Sequence, residues 1–394
     1  MSISEANRIA QIEEYYFSKK LKEIKDIEKN GTKVINLGIG NPDLPPSQST
    51  INALTKSAKQ SGNHGYQSYK STHELRKAIS DYYAEVYSVS LKPETEILPL
   101  IGSKSGIMHI SMAFLDPEDE VLIPNPGYPV YASAGRMLGS SIKYYDLKED
   151  ENWQINIDEL NKIDLSRVKL MWINYPNMPT GASASAGMFD ELVDLAGTHN
   201  FLIVNDNPYS LILNDNPTSF LSANGAKENC LELNSLSKSH NMAGWRLGWV
   251  AGNQQHVKSV LKVKSNIESG IFLPIQHAAI EALRNPDEWH QERNNELRKR
   301  RKQIFSLLNL FKCSYDENQA GMFVWAKVPD NISNVENYAD EILYRAKVFI
   351  TPGFIFGSNG ERYIRISLCN KEQKIKEAVK RVKNMLSVKT EVKW

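Results

Sequence analysis

Through the middle of the chain, short continuous apolar runs alternate with longer stretches whose apolar positions recur every three to four residues. The runs predict strands at residues 96–101 (EILPLI), 120–123 (EVLI), 169–173 (KLMWI), 201–204 (FLIV), 230–233 (CLEL) and 247–251 (LGWVA). Strands that are apolar on both faces suit a sheet covered by helices on either side. Helical patterns lie between them, including the stretch through His109 to Leu115 and residues 186–199. The alternation predicts an α/β domain with a mainly parallel sheet. After about residue 285 the pattern changes. A long charged helix with one apolar face is expected over 287–310. Strands at 322–328 and 363–368 and helices at 335–347 and 372–386 follow, which is an α+β arrangement.

Composition adds bounds. The 394 residues, 41% hydrophobic and 24% charged, suffice for two packed domains. Lys+Arg 47 against Asp+Glu 46 leaves a net charge of +1. No basic stripe appears, so nucleic acid is not an expected partner, and the charge of the 287–310 helix reads as a solvated face. Cys230, Cys313 and Cys369 are odd in number and far apart, which fits buried thiols in a reducing compartment better than a disulfide framework or a metal site. The first twenty residues lack an apolar signal core, and no apolar run reaches about 18 residues. A cytoplasmic protein with no membrane span is expected.

Candidate chemistry collects where the predicted strands end, which is where α/β sheets bind ligands. GSKSG, after the first run, joins a strand to a helix. Its free N–H groups and the Ser103 hydroxyl suit an anion, although a plain tight turn has the same form. NDNPYS places Asp206 directly after FLIV, with Tyr209 three residues on. Such an aspartate caps a turn, or it holds a proton on a heteroaromatic nitrogen. NSLSKSHNMAGWRLGW sets Lys238 between two serines and Arg246 eight residues later. A lysine can hold a carbonyl cofactor covalently, and a forked guanidinium with the hydroxyls of Ser235 and Ser237 can clamp a phosphate. A phosphate cradle, an acid for a ring nitrogen, a phenol and a lysine for an aldehyde are the four handles of pyridoxal phosphate.

The chain resembles the fold-type I pyridoxal-phosphate enzymes of the class I/II aminotransferase family. The resemblance runs through INLGIGNPD, HGYQSY, HELRKAI, GSKSG, PNPGYPVY, NYPNMPTG, DNPY, SLSKSHNMAGWRLGW, TPGFIFG and YIRISL. It implies a large cofactor-binding domain over 45–285 and a smaller α+β domain built from 1–44 and 286–394. It implies pyridoxal 5'-phosphate, with Lys238 as its covalent anchor and proton carrier, Asp206 on the ring nitrogen and Tyr209 on the ring's phenolic oxygen. Tyr128 would stack on the ring. Ser103, Lys104 (through its backbone), Ser235, Ser237 and Arg246 would hold the phosphate. Arg365 would grip the substrate's α-carboxylate, and Gly40 would let the backbone approach the substrate. Tyr66 would reach the phosphate of a neighbouring subunit, so a homodimer with shared sites is expected.

Three positions depart from the family pattern. Met178 stands where an asparagine usually donates to the phenolic oxygen, and a thioether cannot donate. Losing that donor raises the proton affinity of the lysine-bound cofactor unless Asn177 or a water substitutes. Ser71 replaces a common glycine, and Ser105 a common Glu or Gln. The implied activity is amino transfer between an L-amino acid and a 2-oxo acid by a ping-pong mechanism. A C–S β-lyase would use the same residues. A non-catalytic regulator is disfavoured, because only about 35 residues precede INLGIG, too few for a DNA-binding module. Residues 262–273 hold lysines but no arginine, which argues against a strict aspartate enzyme. Phe272, Phe354 and Phe356 are candidates for a side-chain pocket or for core. By two short features only, the GSK turn and the YYF start, the chain is similar to diaminopimelate-type aminotransferases.

Overall fold

A computed structural model describes residues 3–10, 12, 14–29 and 31–391. Its centre is a seven-stranded sheet. In spatial order the strands are Ile97–Leu100, Gly248–Gly252, Cys230–Ser235, Leu202–Asp206, Val168–Ile173, Glu120–Asn125 and Ser141–Asp146. Only Gly248–Gly252 runs against its neighbours, so the sheet is mainly parallel as expected.

Both faces of this sheet are covered, and the two-residue period of the strands sorts side chains between two cores. Val121, Ile123, Leu170, Trp172, Leu202 and Val204 enter one. Leu122, Met171, Ile173 and Ile203 enter the other. Helices close both sides, and their ends carry local signals. Thr72 caps His73–Tyr87 by accepting from the Leu75 N–H, Ser47 caps Gln48–Ala58 through Thr50, and Gly139 closes Val130–Leu138 in the left-handed conformation.

A third core joins the two ends of the chain. Strand Ile35–Asn36 pairs in parallel with Val348–Phe349, and an antiparallel sheet forms from Thr351–Pro352, Tyr363–Ser367 and Phe323–Lys327. Phe17, Ile24 and Leu37 pack here with residues of Asp287–Leu310, Val335–Ala346 and Glu372–Glu391. Arg300, on the buried face of Asp287–Leu310, binds the Asp43 carboxylate through two nitrogens at 2.6 and 3.2 Å and donates to the Leu368 carbonyl. That pair ties the long helix to the segment leading into Gln48–Ala58. The 287–310 helix expected from sequence appears with those bounds. No helix among the described residues is long and apolar enough to cross a membrane.

Candidate active site

A cavity of about 720 Å³ opens beyond the carboxyl ends of the parallel strands. Gly40, Ser103, Lys104, Tyr128, Asp206, Tyr209, Ser235, Ser237, Lys238 and Arg365 all line it, brought together from positions scattered over more than 300 residues of sequence.

Asp206 is the last residue of its strand. It continues the face of Leu202 and Val204, so its carboxylate emerges beside Tyr131, whose hydroxyl donates to Oδ2 at 2.9 Å. Oδ1 is buried and has no protein partner. Burial raises the Asp206 carboxyl to about 7; the Tyr131 hydrogen bond and Lys238 oppose that rise, and the buried Glu232 adds to it. Asn205, one residue earlier, points to the opposite face. There its amide binds Glu232, and its Oδ1 accepts from the Tyr175 N–H, anchoring the NYPNMPTG loop.

Lys238 sits in the short helix Leu236–Ser239 that follows strand Cys230–Ser235. The Ser235 hydroxyl caps that helix, accepting from the Ser237 N–H at 3.0 Å. Lys238 Nζ donates to the Gly40 carbonyl at 2.6 Å. Burial lowers its pKa, reinforced by the cations of Arg365 and Arg246, while Cys369 and Asp206 act in the other direction. A depressed lysine is the nucleophilic form that capture of an aldehyde requires.

The anion cradle is equally local in origin. Gly102, at φ +79°, precedes the helix Ser103–Phe114, whose first turn has no side-chain cap. The N–H groups of Ser103 and Lys104 therefore stand at a positive helix end beside the cavity. A Cβ on Gly102 would lie 2.3 Å from Arg246 Nη2, so glycine makes room for the guanidinium as well as for the turn. Arg246 itself is left-handed, and its Nη1 lies 3.5 Å from the Ser237 hydroxyl. Ser105 turns back onto the Ile101 and Gly102 carbonyls.

Arg365 is fully enclosed. Its guanidinium carbon lies 3.9 Å from the Phe323 ring centre and 4.6 Å from that of Phe356. Its Nη1 donates to Met178 Sδ at 3.0 Å and its Nη2 to the Gly38 carbonyl at 2.9 Å, while Nε has no partner. Burial lowers its pKa to about 10, which leaves it charged at neutral pH. A Cβ on Gly40 would strike Phe323 Cζ at 2.2 Å, so the space beside Gly40 is filled by the ring that stacks on Arg365 rather than left open for substrate. Met178 thus occupies the cavity wall as an acceptor for arginine. Asn177 accepts from Thr180 and is not among the lining residues, whereas Asn174 does face the cavity.

Of the three phenylalanines, Phe356 lines the cavity. Phe354 packs edge-on against Tyr16, and Phe272 lies near His64, about 40% exposed. Tyr66 is 95% exposed and stands outside this cavity. Ser71 adopts φ +62°, a conformation that a glycine would enter without strain.

Two contributions escaped the sequence reading. One is Tyr131, the hydroxyl on Asp206. Tyr131→Phe removes that donor and should lower the transfer rate about tenfold and shift the pH profile of bound-cofactor absorbance, measured by spectrophotometric titration. An unshifted profile would show that Tyr131 serves packing alone. The other is the wall formed by Tyr15, Phe17, Ser18, Leu21, Lys22 and Lys25, from the helix Tyr16–Lys29 and its approach. The spacing 18, 21, 22, 25 is the signal in the sequence that could have placed this stripe on one helical face.

The site fits pyridoxal phosphate: an unpartnered buried carboxylate oxygen, a depressed lysine and a glycine-framed cradle over an arginine match its ring nitrogen, aldehyde and phosphate. Comparison with known proteins agrees. The model for aminotransferase class I and II matches residues 32–382. LL-diaminopimelate aminotransferase of Halothermothrix orenii is 38% identical over 381 residues, covering 96% of this chain and 98% of that protein. The enzyme of the same name from Desulforudis audaxviator is 39% identical over 388 residues, covering 98% and 99%. The substrate-bound structure of BacF from Bacillus subtilis superposes with a TM-score of 0.92 at 34% identity, covering 98% of each chain. The relatives' names are those of transferases, and the β-lyase alternative finds no support among them. The lysine, the acid and the cradle all fall within the matched span, and the chain belongs to the class I and II aminotransferase family, whose members work with pyridoxal phosphate.

Proposed function

We propose that this aminotransferase takes its amino group from LL-diaminopimelate or an amino acid of the same diacid build and delivers it to a 2-oxo acid. The substrate class rests on the names of relatives 37–39% identical over nearly the whole chain. The observation that carries the reaction is the unpartnered Asp206 oxygen in the same buried cleft as Lys238 and Arg365.

Bound pyridoxal phosphate supplies an electrophilic aldehyde and a ring that takes up the electron pair left when the substrate's α-proton departs. Lys238 anchors the cofactor and then moves the proton from the substrate's α-carbon. Asp206 would keep a proton on the ring nitrogen, Tyr209 would donate to the phenolic oxygen, and Tyr128 would pack on the ring. Ser103, Lys104, Ser235, Ser237 and Arg246 would hold the phosphate. Arg365 would meet the α-carboxylate through its guanidinium, which the rings of Phe323 and Phe356 orient.

A homodimer belongs to this reading. Tyr66, Tyr69, Ile267 and Phe272 are all exposed to 40% or more, which suits a surface covered by a second copy, with Tyr66 entering the partner's cradle. The three free, buried cysteines accord with a cytoplasmic setting. Sedimentation velocity that finds only monomer would end the dimer reading.

The reaction test is optical. In the cofactor-loaded protein, LL-diaminopimelate should bleach the yellow band within the mixing time of a manual assay, and a 2-oxo acid should restore it. Neutral aliphatic amino acids should act at least about tenfold more slowly. Equal rates for neutral amino acids would overturn the diacid assignment.

A further inference from the structure

One face of the helix Tyr16–Lys29 fronts the cleft: Ser18, Leu21, Lys22 and Lys25 follow the i, i+3, i+4, i+7 spacing of a single helical stripe, and all four line the cavity. Away from this stripe, Phe17 and Ile24 enter the core shared by the chain ends, and the buried Lys20 pairs with Asp340 and Glu23. The acids of the helix are engaged elsewhere. Glu23 meets Lys20 and Tyr344, Glu28 accepts from the Val34 N–H, and Asp26 pairs with Lys29 and only more weakly feels the charge of Lys22. Lys22 and Lys25 have no carboxylate within ion-pair distance among the described residues.

The cleft itself offers them nothing either. Asp206 is the only acid among the described residues that line it, against Lys22, Lys25, Lys104, Lys238 and Arg365. Three of these cations have employment in the site: Lys238 meets the aldehyde, Arg365 the α-carboxylate, and Lys104 Nζ lies 5.2 Å from the Tyr15 ring centre while its backbone faces the cradle. The Lys104 ammonium is held over that ring, whereas those of Lys22 and Lys25 have no ring or carboxylate within contact distance among the described residues, and neither the cofactor nor an α-amino acid head group neutralises them.

Their position sets the length of what they can meet. Phe17 marks the Arg365 end of the helix, its ring centre 5.7 Å from the guanidinium carbon. At about 1.5 Å of rise per residue, Lys22 stands roughly 7–8 Å and Lys25 roughly 12 Å farther along the axis. Each head group rides on a flexible four-carbon stem that can swing back over the cleft.

We propose that Lys22 and Lys25 bind the distal carboxylate of a diacid amino acid, which makes the helix Tyr16–Lys29 the wall that selects substrate length and charge. The proposal rests on the aminotransferase reading with a diacid substrate given above. Binding to exposed cations is screened by salt, so the selection weakens as ionic strength rises.

LL-Diaminopimelate and L-lysine differ by the distal carboxylate alone, so they isolate it. The experiment compares their second-order rate constants for bleaching the cofactor band in single turnovers, with the loaded wild type, Lys22→Gln, Lys25→Gln and the double variant. The wild type is expected to favour LL-diaminopimelate. In the double variant the ratio of the two rate constants should fall about tenfold, carried by the substrate concentration dependence rather than the limiting rate. The wild-type ratio should also decline between 0.05 and 0.5 M salt, concentrations chosen to span about a threefold range of Debye length. A wild type that prefers the diacid and a double variant that keeps the same ratio would overturn this inference and leave the diacid reading standing. A wild type that reacts as fast with L-lysine would overturn the diacid reading, and this inference with it.

Discussion

Lys238→Ala is expected to leave a folded protein that still takes up pyridoxal phosphate but turns over at least about 10⁴-fold more slowly, since both the nucleophile and the general base are removed. The cradle of Ser103, Ser235, Ser237 and Arg246 does not depend on the lysine side chain, so phosphate binding should survive. The 2.6 Å hydrogen bond to the Gly40 carbonyl is lost, a modest cost at the margin of the cleft. Three readouts separate the roles. The lysine-linked absorption band should vanish and be replaced by that of free aldehyde. Borohydride should no longer fix the cofactor to the chain, as mass spectrometry of the intact protein would reveal. Added methylamine should restore part of the rate, because a small amine can fill the space and carry the proton. Persistent covalent fixation in the variant would move the anchor to another lysine, and Lys104, whose head group lies over Tyr15 at the edge of the same cleft, would be the next residue to test.

The parts of this molecule that could be read from sequence are those where one local pattern decides the outcome. Strands such as Leu202–Asp206 and Val168–Ile173 are apolar on both faces because both faces are buried, and their position in the chain was plain. Ser141–Asp146 was missed because it is the sheet edge. Of SIKYYD only Tyr145 is buried, so no apolar run marks it. Ile35–Asn36 is two residues long and exists through its pairing with Val348–Phe349, a partner more than 300 positions away. The site divides the same way. Lys238, Asp206 and Gly102 sit in strand-end motifs whose chemistry is local. Tyr131 acquires its role from strand parity, which points Asp206 toward it, and from Trp172, against which its ring stacks at 5.0 Å. The stacking of Phe323 and Phe356 on Arg365 joins separate elements, and no spacing along the chain announces it.

Asp206→Asn separates the acid's proposed role at the cofactor ring from its cost to the fold. In the cofactor-free protein the carboxyl is raised to about 7, chiefly by burial, against an ordinary aspartate value near 3.9 in the unfolded chain. Below about pH 4 both states hold the proton, and the group's favourable contribution to stability is fully present. Between about 4 and 7 the unfolded chain has released its proton while the folded chain retains it, so stability falls as pH rises and the contribution is lost through about 7. Asparagine does not titrate, and it can still accept the 2.9 Å hydrogen bond from Tyr131. The cofactor-free variant should therefore melt higher than the wild type at pH 8, by an amount worth about a few kcal/mol, with the difference shrinking towards pH 4. Cofactor reverses the comparison. A protonated ring nitrogen would give the wild-type carboxylate the partner that Oδ1 lacks, an attraction on the order of 4 kcal/mol at about 4 Å and an effective dielectric near 20. The variant cannot hold that proton, so its transfer rate should drop about 10³-fold and its gain in melting temperature on adding pyridoxal phosphate should be smaller than that of the wild type. Calorimetry of both forms across pH 4 to 8, with and without cofactor, measures all of this in one series. A wild type whose stability relative to the variant is flat with pH would mean that Asp206 titrates normally in the empty cleft. A variant with an undiminished rate would remove the acid from the ring nitrogen.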